Sequence, residues 1–245
     1  MEINMAKILF VIFFFLVSNN LVQSVYGETL VPCYFIFGDS LVDNGNNNDR
    51  NTVAKANYPP YGIDYPTGPT GRFTNGRNVA DTIAELLGFS DHIPPFVTAS
   101  GNATLNGVNY GSGGAGILDE TGKQLVALLG LFQIGCVPAA IKRNITGTSC
   151  TETTNDAAQI FNTKLKSLID VLNKDLIGAK FIYVDTYGIT ASDPASVTGS
   201  PRTDFAYFDA LHPTEAAAAI VAKRAFTAQS PSDAYPMDIQ HLAQT

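Results

Sequence analysis

The sequence has little of what several common functions need. Three cysteines (Cys33, Cys136, Cys150) and three histidines (His92, His212, His241) are scattered through 245 residues with no CxxC, HxxxH or HExxH spacing. No metal site is therefore expected. Fifteen lysines and arginines face 22 aspartates and glutamates, a formal net charge of -7. A chain so short of cations does not complement a phosphate backbone, which argues against nucleic acid as a partner. Beyond the N-terminus no apolar run reaches the ~18 residues of a transmembrane helix. No internal repeat is found. What is there, 45% hydrophobic and 15% charged residues, suits one domain with a sizeable core.

Residues 1–27 read as a secretory signal, with Lys7 as the positive end, Ile8 to Val17 as the apolar run and Val25 and Gly27 as small residues at a cleavage site. The expectation is a mature domain over 28–245, secreted and extracellular. In that compartment the sequons Asn102-Ala103-Thr104 and Asn144-Ile145-Thr146 become glycosylation acceptors. Cys136 and Cys150 are near enough to close a small loop, which leaves Cys33 unpaired.

Along the chain, Cys33 to Phe37 is a short aromatic-rich run that suits a buried strand, and it stops at Gly38. Asp43 to Asp49 reads as a polar turn, and Tyr58 to Arg72, rich in proline and glycine, as an irregular surface loop. Val79, Ile83, Leu86 and Leu87 recur at helical spacing before Gly88; Gly107 to Tyr110 is a second strand candidate. Leu125 to Phe132 is a third apolar run. Ile160, Phe161, Leu165, Leu168, Ile169 and Leu172 form one helical stripe, and Phe181 to Val184 is a further strand. Thr214 and Glu215 open an alanine-rich helix to about Phe226. Strands alternating with helices argue for an α/β fold, a parallel sheet with helices on both faces.

Ser40 follows directly on the first strand, in Gly38-Asp39-Ser40-Leu41, where the ligands of open α/β sheets gather. Near the other end, Asp209-Ala210-Leu211-His212-Pro213 sets a carboxylate three residues before a histidine, just ahead of a helix. A serine hydroxyl is a weak nucleophile until an imidazole takes its proton, and the imidazole needs a carboxylate to fix its tautomer. Taken singly, a GDS is usually a turn and a DxxH a surface turn; their pairing at the two ends of an α/β chain is far less ordinary. Asp39 is expected to shape the turn at the serine, and Asp43 and Asn44 to make turn hydrogen bonds. His92 and His241 read as surface residues with no carboxylate at comparable spacing, and Cys136 as structural. Gly111 to Gly116 also satisfies G-x-G-x-x-G after a strand. No acidic residue lies in Leu129 to Gly135, where a dinucleotide site would want one, and export disfavours a nicotinamide enzyme.

Phe35 to Asn48 (FIFGDSLVDNGNNN), Gly107-Val108-Asn109-Tyr110 with Ser112 to Gly116, Gly135-Cys136-Val137-Pro138, and Asp209 to Glu215 together resemble the plant GDSL esterase/lipases of the SGNH hydrolase superfamily. The resemblance implies a three-layer α/β/α, flavodoxin-like sheet of strand order 2-1-3-4-5. It implies hydrolysis of small-molecule or lipid carboxylic esters without cofactor or metal. Ser40 would be the nucleophile, His212 the general base and Asp209 its partner. The backbone amides of Ser40 and Gly113 would form the oxyanion hole, with Gly114 an alternative to Gly113. The lipase elbow G-x-S-x-G occurs nowhere, as a more open GDSL-type site implies.

The resemblance is interrupted twice. The family's third block, a Gly-x-Asn-Asp stretch whose asparagine completes the oxyanion hole, is absent: Glu120 to Leu125 runs directly into Val126 to Leu131, with a junction near 125–126. A second gap falls at 199–202, where related plant enzymes carry a cysteine-rich loop; partners lost there would explain the odd Cys33. The first gap removes the central strand, so strands 1 and 4 must pair directly or leave two inner edges open. Two readings stay open: a working esterase, or an impaired secreted remnant of one.

Overall fold

The computed structural model describes residues 29–114, 125–144, 149–176, 179–192 and 206–245. The expected signal at 1–27 and the gap at 199–202 lie outside them. The described regular elements are α1 (Val79–Leu86), β1 (Leu125–Leu129), α2 (Pro138–Arg143), α3 (Glu152–Asp175), β2 (Lys180–Val184), α4 (Thr186–Ser192), α5 (Glu215–Phe226), β3 (Ala234–Tyr235) and α6 (Ile239–Ala243).

β1 and β2 pair in parallel, Leu125 opposite Lys180 through Leu129 opposite Val184, and β3 adds antiparallel to β2 at Tyr183–Tyr235 and Val184–Ala234. The parallel crossover carries α2 and α3, as parallel strands require. A second ladder lies beside this sheet. Tyr34 and Ile36 donate to the carbonyls of Asn106 and Val108, and Tyr110 and Ser112 donate back to Ile36 and Gly38. Residues 94–96 flank it on the far side, where Asn109 donates to Pro94 and Phe96 to Asn109. The expected strands at 33–37 and 107–110 are thus extended and hydrogen-bonded, but direct pairing is confined to Ile36 with Asn109 and Asn109 with Pro95. Two causes combine: Pro95 has no N–H to give, and residues 34–38 have a partner on one side only. Among the described residues no backbone hydrogen bond joins 34–38 to β1.

One core spans both ladders. Ile36, Ile83 and Leu87 pack with Ile182, Val184, Ile189, Ala222, Phe226 and Leu242, and Ala127 and Leu129 of β1 lie against them. Thus α1, α5 and α6 cover one face, and α3 packs on β2 across the other, an α/β/α arrangement. The second face is only partly covered. Of the sequence-read stripe on α3, Ile169 is buried, but Ile160 (60% exposed), Phe161 and Leu168 face solvent. Phe35, Phe37 and Tyr110 are also open, Phe37 stacked on Tyr110 at 5.1 Å between centroids.

The stretch 43–49, read as a polar turn, is one, with Asp43 accepting from Gly45 and Asn46, and it is also in large part a buried hub: Asp43, Asn44, Asn46 and Asn47 are almost inaccessible. Asn44 donates to Asp81, and Asn78 donates to Asn44. Asn78 and Asp81 cap α1 reciprocally. Arg72 grips Asp81 with two parallel hydrogen bonds of 2.7 and 2.8 Å. Burial alone would lift the Asp81 carboxyl, but the hydrogen bonds and charge of Arg72 hold it below the usual carboxylate range. Its stabilising contribution is therefore present at neutral pH and lost as pH falls through that depressed value. Asp81→Ala, which strands the buried Arg72 guanidinium, is expected to cost about 3–5 kcal/mol. The shift in urea midpoint between wild type and variant measures it.

Candidate active site

Ser40 sits one turn past the extended segment 34–38. The Asp39 carboxylate accepts the Leu41 N–H at 3.0 Å, and the Val42 N–H returns to the Asp39 carbonyl, which folds the chain so that the serine points out of the ladder end. Asp39 thus does the turn-shaping expected of it. At the opposite end of the chain, the residue 209–212 turn is closed by its own carboxylate: Asp209 Oδ1 accepts the N–H groups of Leu211 at 2.7 Å and His212 at 2.8 Å. The hydroxyl of Thr214 then caps α5 through Ala217 N–H. The Phe208 N–H to His212 carbonyl bond and the Ala139 N–H to Ala210 carbonyl bond tie this turn to itself and to α2.

These local foldings bring Ser40, His212 and Asp209 together. His212 Nε2 lies 2.9 Å from Ser40 Oγ, and Nδ1 lies 2.7 Å from Asp209 Oδ2. Although 172 residues separate serine and histidine, the three side chains form one continuous hydrogen-bonded row. Burial raises the Asp209 carboxyl, but the His212 imidazole and the two backbone amides outweigh it and hold the group well below the usual carboxylate range. It therefore stays ionised at any pH where an imidazole can act as a base.

The ring of Phe73 packs on His212, 5.0 Å between centroids. A cleft of about 640 Å³ opens beside Ser40 and His212, walled by Leu131, Phe132, Ile134, Val137 and Leu211, with Arg143 at its edge. The α2 wall is held by the Cys136–Cys150 disulfide, the pairing that sequence proximity suggested; Cys33 is a free thiol.

The oxyanion donors need a correction. The Gly113 N–H donates to Asp43 Oδ2 at 2.8 Å, so it is committed to the hub behind the serine. The cause is Asp43, a fully buried carboxylate that also takes the N–H groups of Gly45 and Asn46 at 2.7 Å. Among the described residues the N–H groups of Ser40 and Gly114 have no acceptor. The neighbouring asparagines cannot stand in for a missing amide donor, because Asn46 and Asn47 each give their side-chain N–H groups to two backbone carbonyls.

Of the other two histidines only His241 departs from expectation, because Asp238 stands at the DxxH spacing; His92 has no carboxylate at that spacing, but the fold gives it one. His92 Nε2 lies 3.0 Å from Glu85, a pairing made by the fold, and His241 Nδ1 lies 2.6 Å from Asp238, three residues earlier. That second pair repeats the DxxH spacing, a signal present in the sequence. Neither is joined to a serine. Sequence reading also missed Tyr61, whose hydroxyl reaches Asp209 at 2.8 Å. Of the sequon residues, Asn144 spends its side-chain N–H groups on Ser149 and Cys150. Asn102 is exposed in the Gly101–Asn106 turn. Among the described residues no cluster of His, Cys, Asp and Glu has the makings of a metal site, and no helix is long and apolar enough to cross a membrane.

An α/β/α domain with a serine at a ladder end, hydrogen-bonded to a carboxylate-held histidine, defines a class: the serine hydrolase type of site. Comparison with known proteins makes this specific. Residues 34–130 and 120–225 match the GDSL-like Lipase/Acylhydrolase family, and the chain belongs to it. Among curated Arabidopsis thaliana proteins, the GDSL esterase/lipase At1g29670 is 35% identical over 91% of this chain and 94% of its own length. The GDSL esterase/lipase At5g45670 is 32% identical over 98% and 99%. The first match runs over 343 positions against the 245 residues present, so a long stretch of the relative has no counterpart here. The family is matched in two pieces that overlap at 120–130, where β1 begins.

A Cβ placed on Gly113 would lie 2.9 Å from both Asn47 Nδ2 and the Phe73 ring. Gly113→Ala is therefore expected to push Phe73 against His212 and slow Ser40 phosphorylation by diisopropyl fluorophosphate, with release of fluoride, about ten- to a hundredfold. The labelling rate, read alongside an unchanged circular dichroism spectrum, checks it.

Proposed function

We propose that this chain hydrolyses carboxylic esters through an acyl-serine intermediate on Ser40. The observation that carries the proposal is the continuous Ser40–His212–Asp209 row at 2.9 and 2.7 Å. The esterase/lipase names of its relatives agree with it.

In this reading His212 Nε2 takes the hydroxyl proton as Ser40 Oγ attacks the ester carbonyl. The imidazolium, paired with the ionised Asp209, then gives the proton to the departing alcohol. Water, deprotonated by the same imidazole, attacks the acyl-serine and releases the acid. The apolar wall of Leu131, Phe132, Ile134 and Val137 suits an acyl chain. The oxyanion takes the free Ser40 N–H and, for a second donor, the N–H of Gly114 in place of Gly113. Among the described residues the third-block asparagine has no substitute at the site, and losing one oxyanion donor typically lowers kcat by about 10²–10³. We therefore propose that this chain is a slow member of its family because of an internal deletion near 125–126; a second deletion at 199–202 accounts for the odd Cys33. We further propose that residues 1–27 direct its secretion and that Asn102 and Asn144 are glycosylated on the way.

The test is hydrolysis of p-nitrophenyl acetate and p-nitrophenyl octanoate by the secreted product and its Ser40→Ala variant, each with a thermal melt. The expected result is slow turnover in the wild type, faster on the longer acyl chain, and loss of at least about 100-fold in the variant. Equal rates from both proteins, with cooperative melts, would remove Ser40 from the chemistry.

A further inference from the structure

The carboxylate that holds His212 has a fourth donor. Tyr61 Oη donates a hydrogen bond to Asp209 Oδ2 at 2.8 Å, the same oxygen that accepts from His212 Nδ1–H. Oδ1 is already filled by two backbone N–H groups. The tyrosine does not reach this place by chance of rotamer. Its ring is fixed by Tyr58 at 5.4 Å, Phe208 at 5.5 Å and Phe73 at 5.9 Å, and Phe73 is the ring that also packs on His212. The next residue, Gly62, sits at φ +65° and donates to the Thr74 carbonyl. A Cβ there would lie 2.4 Å from the Gly68 carbonyl, so the turn that presents Tyr61 needs a glycine.

We propose that Tyr61 is a positioning residue of the hydrolytic site: by sharing Asp209 Oδ2 with His212 it locks the carboxylate's rotation and limits how strongly that carboxylate draws on the Nδ1 proton. This rests on the reading of Ser40, His212 and Asp209 as one catalytic unit. Its physical basis is that a carboxylate oxygen taking two donors shares its charge between them, so each bond is weaker than it would be alone. Burial and the neighbouring Asp209 both raise the Tyr61 hydroxyl above its ordinary value, so it stays a donor throughout the working range. The other charged or titratable groups around the row are Asp39 beside the serine, Arg143 at the edge of the cleft and Tyr58 behind Tyr61. None of them donates to Asp209.

The test uses the full secreted chain, Tyr61→Phe, and Tyr58→Phe as a control for ring packing. The first readout needs no turnover: the low-field proton resonance of His212 Nδ1, assigned by its loss in His212→Gln. Tyr61→Phe is expected to move it further downfield by about 0.5 ppm or more, because the Asp209–His212 bond strengthens once Oδ2 is unshared. Tyr58→Phe is expected to leave it in place. So is the resonance of the His241–Asp238 pair, to which no tyrosine hydroxyl donates. The second readout is the pH profile of nitrophenyl ester hydrolysis. Its acid limb is expected to move up by about half a pH unit in Tyr61→Phe, with kcat down about three- to tenfold and KM unchanged.

A shifted resonance without Ser40-dependent turnover would support the positioning role and sink the esterase reading. Ser40-dependent turnover with an unmoved resonance and an unmoved acid limb would overturn the positioning role alone. Should Tyr61→Phe fail to melt cooperatively, the wild-type chain grown with ring-fluorinated tyrosine keeps the ring and strengthens the donor. The resonance must then move upfield, and no movement overturns the proposal.

Discussion

Much of the site hangs on one buried carboxylate. Asp43 accepts three backbone N–H groups, from Gly45, Asn46 and Gly113, and so fastens the loop after Ser40 to the glycine-rich segment that ends the neighbouring strand. Burial pushes its carboxyl above the ordinary range, and the three amides and the charge of Arg50 pull against that. A carboxylate in such a place is tolerable only because every lone-pair direction it uses is filled. Around it Asn46 and Asn47 bridge the same two segments through side-chain bonds to backbone carbonyls. The serine turn is thus fixed by side-chain hydrogen bonds where a longer sheet would fix it by strand pairing. The same fastening takes the Gly113 N–H away from any oxyanion.

The shape of the rest follows from two ladders that do not meet. Residues 34–38 pair with 106–112, and β1 pairs with β2, but no backbone bond crosses between them among the described residues. What joins them is the shared apolar layer beneath α1, α5 and α6, which reaches from Ile36 to Val184. On the other face there is less to join them, and Phe35, Phe37, Ile160 and Phe161 stay wet. Hydrophobic packing is non-directional, so one well-filled face can hold the halves in register while the hydrogen-bonding edges go unmatched. The catalytic row depends on that, because Ser40 comes from one ladder and the 209–212 turn leans on α2, which follows the other.

Much of this was legible in the residues, and the failures have physical causes. The helix start at Thr214, the helical stripe from Val79 and the strand at Phe181 to Val184 depend on local capping and periodicity, which sequence carries directly. Ser40, Asp209 and His212 were legible because the chemistry needs three specific side chains, two of them at a fixed spacing. The run 43–49 is the turn its composition indicates, with Asp43 accepting the N–H groups of Gly45 and Asn46, but its burial was not legible, because the carbonyls that receive its asparagines come from residues 54, 109, 111 and 113. Gly113 was assigned to the oxyanion because only the fold reveals that its N–H has a stronger claimant. Tyr61 lies 148 residues from Asp209, and no pattern along the chain links them. The apolar stripe of α3 gave the helix but not its burial, since Ile169 is buried while Ile160, Phe161 and Leu168 are exposed.

In the proposed mechanism Ser40 carries the acyl group during turnover. Mixing the secreted chain with excess p-nitrophenyl butyrate, quenching in acid within seconds and measuring intact and peptide masses tests it directly. A butyryl adduct is expected on the peptide containing Ser40, transient at neutral pH and absent when Ser40 is alanine. Ester turnover with no adduct at Ser40, or with the adduct on another residue, would contradict it.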